Sequence, residues 1–98
     1  SLFPGMITGL RQLSAPVKIN SLYPNPASNV IHSDFYSDRN GEAELIITNL
    51  LGQVLVRRKL TVTAGENRLE SGIQQLDPGM YFLQLKTENG YDVKQFCK

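Results

Sequence analysis

The chain has 98 residues, of which 41% are hydrophobic and 19% charged, with 10 Lys and Arg against 9 Asp and Glu. This length fits one globular domain, and a formal net charge of +1 argues against the concentrated basic surface that binds nucleic acid. One Cys and one His are too few for a zinc cluster or a disulfide framework, and they leave little material for a Cys/His catalytic set. The composition therefore argues against most classes of enzyme, and because the sequence also lacks a convincing nucleophile, metal site or acid/base pair, we expect a domain that is not an enzyme and holds no cofactor.

The first segment, residues 1–15, is predicted to be a linker or the tail of a preceding domain, and residues 16–98 are predicted to fold. The chain begins at Ser1 rather than Met, so we expect it to be a piece of a longer protein. Its early apolar residues are broken by Pro4 and Gly5, and they lack the basic opening and long apolar run of a secretory signal.

Apolar and polar residues alternate with a period of two in most of the remaining chain, which is typical of β-strands with one buried face. The predicted strands are 17–22, 28–35, 43–49, 53–61, 67–70, 80–87 and 91–97. Asn40-Gly41 and Asn89-Gly90 suit tight hairpin turns. Seven short strands with turns every 8 to 12 residues favour an all-β fold, an Ig-like antiparallel β-sandwich. A small barrel has the same periodicity and stays open as an alternative.

Several polar residues invite a functional interpretation, but a structural one is simpler for each. Arg57-Arg58-Lys59 would alternate between two strand faces, so we expect a solvated strand rather than a phosphate-binding stripe. Glu42 and Glu44 could form a pair on one face, but no third carboxylate or histidine is near them in sequence. His32 is expected to be a structural imidazole, and Cys97 a small half-buried side chain.

The segment Leu22-Tyr23-Pro24-Asn25-Pro26 predicts a stiff corner between the first two strands, because its prolines fix φ at two positions. We expect Tyr23 to pack inward and Asn25 to hydrogen-bond to local backbone. The corner could also act as a hinge, so that residues 1–15 and the first strand exchange between two copies to form a homodimer.

The corner is the first of five motifs that follow one another along the chain. They are Leu22-Tyr23-Pro24-Asn25-Pro26, Ile47-Thr48-Asn49-Leu50-Leu51-Gly52-Gln53-Val54, Gly65-Glu66-Asn67, Leu76-Asp77-Pro78-Gly79-Met80-Tyr81-Phe82-Leu83-Gln84-Leu85 and Lys94-Gln95-Phe96-Cys97-Lys98. In this order they resemble the type A C-terminal sorting domain of the type IX (Por) secretion system of Bacteroidetes, over about residues 17–98. The residues that match the family motifs are Tyr23, Pro24, Asn25, Pro26, Asn49, Gly52, Gly65, Asn67, Pro78, Gly79 and Tyr81.

The resemblance implies an Ig-like domain that is an address for a passenger protein joined to its N-terminal side. It implies export of the precursor to the periplasm, recognition by the outer-membrane translocon, and display at the cell surface or release. A sortase-like cell-surface protease would usually remove the domain, with residues 1–15 as the linker that it cuts. The sequence departs from the family pattern at Cys97, where an aliphatic residue is usual, and at Asn49, where Asp is more common.

The last strand is the expected recognition element. Alternation places Lys94, Phe96 and Lys98 on one face, and we predict that the translocon recognises these three residues, by side-chain contacts or by strand addition. The alternative is an ordinary edge strand whose lysines limit aggregation.

A second class of function is an Ig-like adhesion or carbohydrate-binding module. Sugar binding usually needs exposed aromatic side chains, and the chain has no Trp. Its candidates are Tyr36, Phe82, Tyr91 and Phe96.

Overall fold

The computed structural model describes residues 16–98, and the predicted linker at 1–15 lies outside the described residues. Residues 16–98 form strands and turns without a helix, and no helix in this range could cross a membrane. The strands are β1 (Val17–Tyr23), β2 (Val30–Ser37), β3 (Gly41–Asn49), β4 (Val54–Val62), β5 (Gly65–Gly72), β6 (Met80–Thr87) and β7 (Gly90–Cys97).

The strands form two antiparallel sheets, a three-stranded sheet in the order β1-β2-β5 and a four-stranded sheet in the order β4-β3-β6-β7. Strand β2 continues through a turn into β3 of the other sheet, and β4 crosses back into β5. Two separate sheets that share one core make a sandwich rather than a barrel. The predicted Ig-like β-sandwich of about seven strands is therefore confirmed.

The core forms where the alternating apolar residues of the two sheets meet. Ile19, Ile31 and Phe35 from the three-stranded sheet are buried in one cluster with Leu45 and Leu83 from the four-stranded sheet. Each fully buried aliphatic or aromatic side chain of this kind contributes about 1.5–3 kcal/mol to folding. The period of two in the sequence thus identifies the buried face, except where a register shift interrupts it, as in β1.

Strand β5 is longer than the sequence predicts, running from Gly65 to Gly72 instead of 67–70. Its sequence is mostly polar, so hydrophobic alternation gives little sign of its ends. Its length is set by pairing, because β2 runs beside all of it, from Ser37 opposite Gly65 to Val30 opposite Gly72.

Charged side chains bridge both open sides of the sandwich. On one side the Ile19 amide donates a 2.7 Å hydrogen bond to Asp92 Oδ2, which joins β1 to β7. On the other side Arg58 Nη1 donates a 3.1 Å hydrogen bond to the Glu70 carbonyl, which joins β4 to β5. Because unpaired edge strands can template aggregation, these charged contacts protect the edges of both sheets.

The two ends of the sandwich differ. At the Pro16 end, the Asp38 amide donates a 2.9 Å hydrogen bond to the Pro16 carbonyl, and the β6–β7 turn lies beside Pro16. At the Lys98 end lie the β3–β4 turn, the first residue of β6 and the last residue of β7. Strands of 7 to 9 residues separate the two ends, a span of roughly 25–30 Å.

Candidate recognition site at the Lys98 end

The corner formed by the two prolines holds the backbone of Cys97. The Cys97 amide donates a 3.1 Å hydrogen bond to Asn25 Oδ1, and the Ala27 amide donates a 2.8 Å hydrogen bond to the Cys97 carbonyl. The Asn25 side chain stands in for the backbone carbonyl of a neighbouring strand. The expectation that Asn25 bonds local backbone is wrong, because its partner lies 72 residues away.

A second set of bonds holds Lys98. The Gly79 amide donates to the Lys98 carbonyl at 3.0 Å, and the Lys98 amide donates to the Gly79 carbonyl at 2.8 Å. The Lys98 ammonium donates to the carbonyls of Gln74, at 3.4 Å, and Leu76. The ammonium group of Lys98 is therefore engaged in contacts within the domain, and these contacts join the β5–β6 loop to Lys98.

Phe96 lies in the core with only 1% of its surface exposed, and its ring stacks on Tyr81 with centroids 5.6 Å apart. The Tyr81 hydroxyl donates to the Asp77 carbonyl, which fixes the turn before β6. Phe96 therefore cannot touch a partner while the domain stays folded. It secures β7 to the core instead.

Lys94 is exposed, unlike Phe96. The predicted alternation is right in that Lys94 and Phe96 share one face of β7, since they pair with the buried Leu83 and Tyr81 of β6. On that face the side chain of Lys94 is exposed, because it lies near the edge of the sandwich, whereas the side chain of Phe96 is buried. Of the two lysines among the predicted recognition residues, Lys94 is the more exposed to solvent.

The β3–β4 turn at the same end is built around Asn49. Its Oδ1 accepts hydrogen bonds from the amides of Leu51, at 2.9 Å, and Gln53, at 3.0 Å. Its Nδ2 donates to Gln53 Oε1 at 2.7 Å, a bond that an aspartate could not make. Gly52 has φ of 87°, a left-handed conformation that glycine adopts readily. Asn49 also lies opposite Tyr81 in the β3–β6 ladder, so this motif joins the others at the Lys98 end.

Two family-motif residues lie at the Pro16 end instead. The Thr63 amide donates a 3.0 Å hydrogen bond to Asn67 Oδ1, and Asn67 Nδ2 donates to the Thr63 carbonyl at 2.8 Å. Gly65, with φ of 102°, lies between them. These bonds shape the crossover from β4 to β5, so Gly65 and Asn67 serve the fold.

Tyr23 lies on the outer face of the three-stranded sheet, so the expectation that it packs inward is wrong. A register shift between Ile19 and Ser21 puts Leu22 opposite the buried Ser33, and Tyr23 then faces outward. The Tyr23 ring stacks on His32 with centroids 5.2 Å apart.

The Tyr23 hydroxyl joins a polar network on this outer face. It donates a 3.1 Å hydrogen bond to Asp34 Oδ1, which also accepts a 2.9 Å bond from Arg68 Nε. The bond from Arg68 lowers the pKa of Asp34, and partial desolvation together with the bond to Asp34 raises the pKa of Tyr23.

The polar residues that the sequence offered as candidate site residues do not come together in one site. Glu42 and Glu44 line a shallow groove of about 390 Å³ with Lys59 and Lys86, and Glu44 lies 3.5 Å from Arg57. Within residues 16–98, no group of three or more His, Cys, Asp and Glu side chains could hold a metal ion.

The four aromatic candidates for sugar binding are not brought together. Tyr36 lies on the outer face of the three-stranded sheet, Phe82 and Tyr91 lie on the outer face of the four-stranded sheet, and Phe96 is in the core. They form no common platform.

These features define an Ig-like sandwich in which separate motifs fix the last residues of β7. The family model of the secretion system C-terminal sorting domain matches residues 21–98, and the chain belongs to this family. The domain is the C-terminal sorting signal of the type IX secretion system, which directs a passenger protein to the cell surface or extracellular space. The family is not an enzyme family.

No significantly similar sequence was found among curated proteins. Among solved structures, the chain is similar to a β-glucosidase from Listeria innocua in complex with glucose, at 16% identity and a TM-score of 0.46. The similarity covers 83% of this chain and 15% of that chain, so the chain spans less than a sixth of the glucosidase's length.

Proposed function

We propose that the outer-membrane translocon of the type IX system recognises this domain in its folded state, at the Lys98 end. The observation that carries the proposal is the attachment of the last two residues to the fold. Asn25 and Ala27 hold the backbone of Cys97, and Gly79 holds that of Lys98. A terminal segment fixed by four backbone contacts offers a partner one defined shape, which reduces the entropy lost on binding.

The three predicted recognition residues take different parts in this proposal. Lys94 contacts the translocon directly, because its ammonium is exposed at the sandwich edge. Phe96 and Lys98 are positioning residues, which act through the core and through the carbonyls of the β5–β6 loop. The binding surface on the translocon is then expected to carry an acidic group opposite Lys94.

The position of the passenger supports recognition at this end. A passenger joined through residues 1–15 enters the domain at Pro16, roughly 25–30 Å from Lys98 along the strands. It would not cover the recognised end. In the proposal the passenger crosses the periplasm, and a sortase-like protease at the cell surface cuts within 1–15. The domain itself catalyses no reaction.

A charge reversal tests the assignment of Lys94. The passenger is a periplasm-directed fluorescent protein fused to residues 1–98 in a type IX-competent host, and the readout is the fraction displayed at the cell surface. We expect Lys94→Glu to reduce display by about tenfold, since a lost charge pair at an interface costs a kcal/mol or more. Lys86→Glu, an exposed lysine on the same hairpin, is the matched control. Equal display by the two variants would remove Lys94 from the site.

A further inference from the structure

The exposed apolar side chains are distributed unevenly over the described residues. The large ones are Leu50, Leu51, Val54, Leu55, Met80, Tyr91, Val93 and Tyr36. Tyr36 belongs to the three-stranded sheet, and the other seven belong to the four-stranded sheet or to its β3–β4 turn. Scattered apolar side chains on a surface need no explanation, but a concentration of them marks interaction sites.

The densest part of this distribution is a tip formed by Leu50, Leu51, Val54, Leu55 and Met80, hereafter the apolar tip. Leu50 is 61% exposed and Leu51 is 85% exposed. Leu50 leaves β3 one residue after Asn49, beside the start of β6, where Met80 precedes Tyr81 in the ladder. The apolar tip therefore lies at the Lys98 end, as does the proposed recognition segment.

The turn is preorganised to present its two leucines. Asn49 accepts hydrogen bonds from the amides of Leu51 and Gln53, and the Gly52 amide donates to the Asn49 carbonyl at 3.0 Å. These bonds fix the backbone on both sides of Leu51 without burying its side chain. An exposed leucine contributes nothing to the core. Because its backbone is already fixed, only the rotamer freedom of its side chain is lost when it enters a pocket.

We infer that the apolar tip inserts its two leucines into an apolar cleft on a protein of the type IX machinery. The inference rests on the proposed function and adds a second contact to it. Family membership requires a protein of that machinery to bind this domain, and the tip is the most exposed apolar feature of the described chain. In many interfaces a few side chains that are fully buried near the centre carry most of the binding energy.

Two other occupants fit the tip less well. Surface insertion into an anionic membrane is normally assisted by free flanking Lys or Arg. The basic residues that follow this stretch are engaged within the domain instead, since Arg57 lies 3.5 Å from Glu44 and Arg58 donates to the Glu70 carbonyl. A stable symmetric dimer needs roughly 800 Å² from each partner. A narrow turn with two adjacent leucines suits a cleft better than flat pairing with a second copy.

The test replaces the leucines without touching the core. Leu50→Ser/Leu51→Ser in the full chain, fused to the fluorescent passenger, is expected to reduce surface display at least about tenfold. Its thermal unfolding midpoint should stay within a few degrees of the wild type, because both side chains are exposed. The matched control is Tyr36→Ser, which removes an exposed apolar side chain from the other sheet and should leave display unchanged. If the double variant does not fold, Leu51→Ser alone replaces it.

The other outcomes overturn the inference in distinguishable ways. Normal display of the folded double variant would remove the apolar tip from recognition while leaving the sorting function intact. Retention of the wild-type fusion inside the cell would instead refute the proposed function. Leucine-dependent sedimentation with phosphatidylglycerol vesicles would assign the tip to a membrane. A dimer in light scattering that the double variant abolishes would assign it to a second copy of the chain.

Discussion

The Asn25 side chain and the Cys97 backbone are joined by a 3.1 Å hydrogen bond across 72 residues of sequence, so the first corner of the domain holds its last strand. The Ala27 amide, two residues further along the corner, donates a hydrogen bond to the backbone carbonyl of Cys97. The corner thus supplies the hydrogen-bond partners that a neighbouring strand would otherwise provide at the open edge of the sheet. This relationship explains why an asparagine between two prolines belongs with a motif at the far end of the chain.

Removing the Asn25 acceptor should loosen the end of β7. We expect Asn25→Ala to lower the free energy of unfolding by about 1 kcal/mol, the usual net contribution of one hydrogen bond. In a domain of this size that is about 4–8 °C in Tm. Asn20→Ala is the control, because Asn20 makes an exposed bond to Glu66 and its loss should have little effect. Unchanged amide hydrogen exchange at Cys97 in Asn25→Ala would show that the bond does not hold the strand.

Phe96 should behave as a core residue. Phe96→Ala removes a ring that is fully buried and stacked on Tyr81, and it should lower the free energy of unfolding by about 3–5 kcal/mol. Tyr91→Ala changes an aromatic residue of the same strand that is exposed, so its effect should be within about 0.5 kcal/mol. Denaturant unfolding followed by circular dichroism measures both. A small effect for Phe96→Ala would mean that β7 is not packed as described.

Two of the three family-motif glycines, Gly52 and Gly79, should respond differently to a methyl group. Gly52 has a positive φ, so Gly52→Ala should cost about 1 kcal/mol even though the added methyl meets no neighbour. Gly79 has no positive φ and equally free space, so Gly79→Ala should be neutral or stabilising by up to about 1 kcal/mol. Thermal unfolding of the two variants side by side checks this. Equal destabilisation would contradict the assigned backbone conformations.

The Asp34–Arg68 contact should make stability depend on pH in acid. Because Arg68 holds the pKa of Asp34 below its ordinary value of 3.8, the ionised form favours the folded state. This contribution is present above 3.8 and is lost as the pH falls through the lowered pKa of the folded state. The difference in stability between wild type and Asp34→Asn should therefore be largest near neutral pH and shrink below pH 4. High salt should also reduce it, since the pair is exposed. A difference that is constant from pH 7 to pH 3 would contradict this account.

The fold and the family could be predicted from two features of the sequence, the period of two in its strands and the order of its motifs. Alternation predicted the sandwich, and the five motifs predicted the family that the match over 21–98 confirms. The direction of Tyr23 could not be predicted, because one register shift in β1 reverses the faces that follow it. The ends of β5 were missed because its pairing with β2, and not its own polar residues, defines them.

The candidate site was predicted only in part. Alternation correctly put Lys94 and Phe96 on one face, but it could not show that the sandwich edge exposes one and buries the other. The partners of Asn25 and Lys98 are distant in sequence and leave no local signature. The apolar tip does have a signature in the sequence, two adjacent leucines, but they also belong to the turn motif, and the motif alone gives no sign that both side chains are exposed. Exchange of β1 between copies through the proline corner stays a prediction, which light scattering over a range of concentrations checks.

The central claim is that these residues form a sorting signal that works as a folded domain. Its most direct test is the surface-displayed fraction of a periplasm-directed fluorescent passenger in a type IX-competent host, with and without residues 1–98 fused behind it. We predict that the fused passenger reaches the cell surface and that the passenger alone stays in the periplasm. A fused passenger that stays in the periplasm with its domain folded would contradict the account.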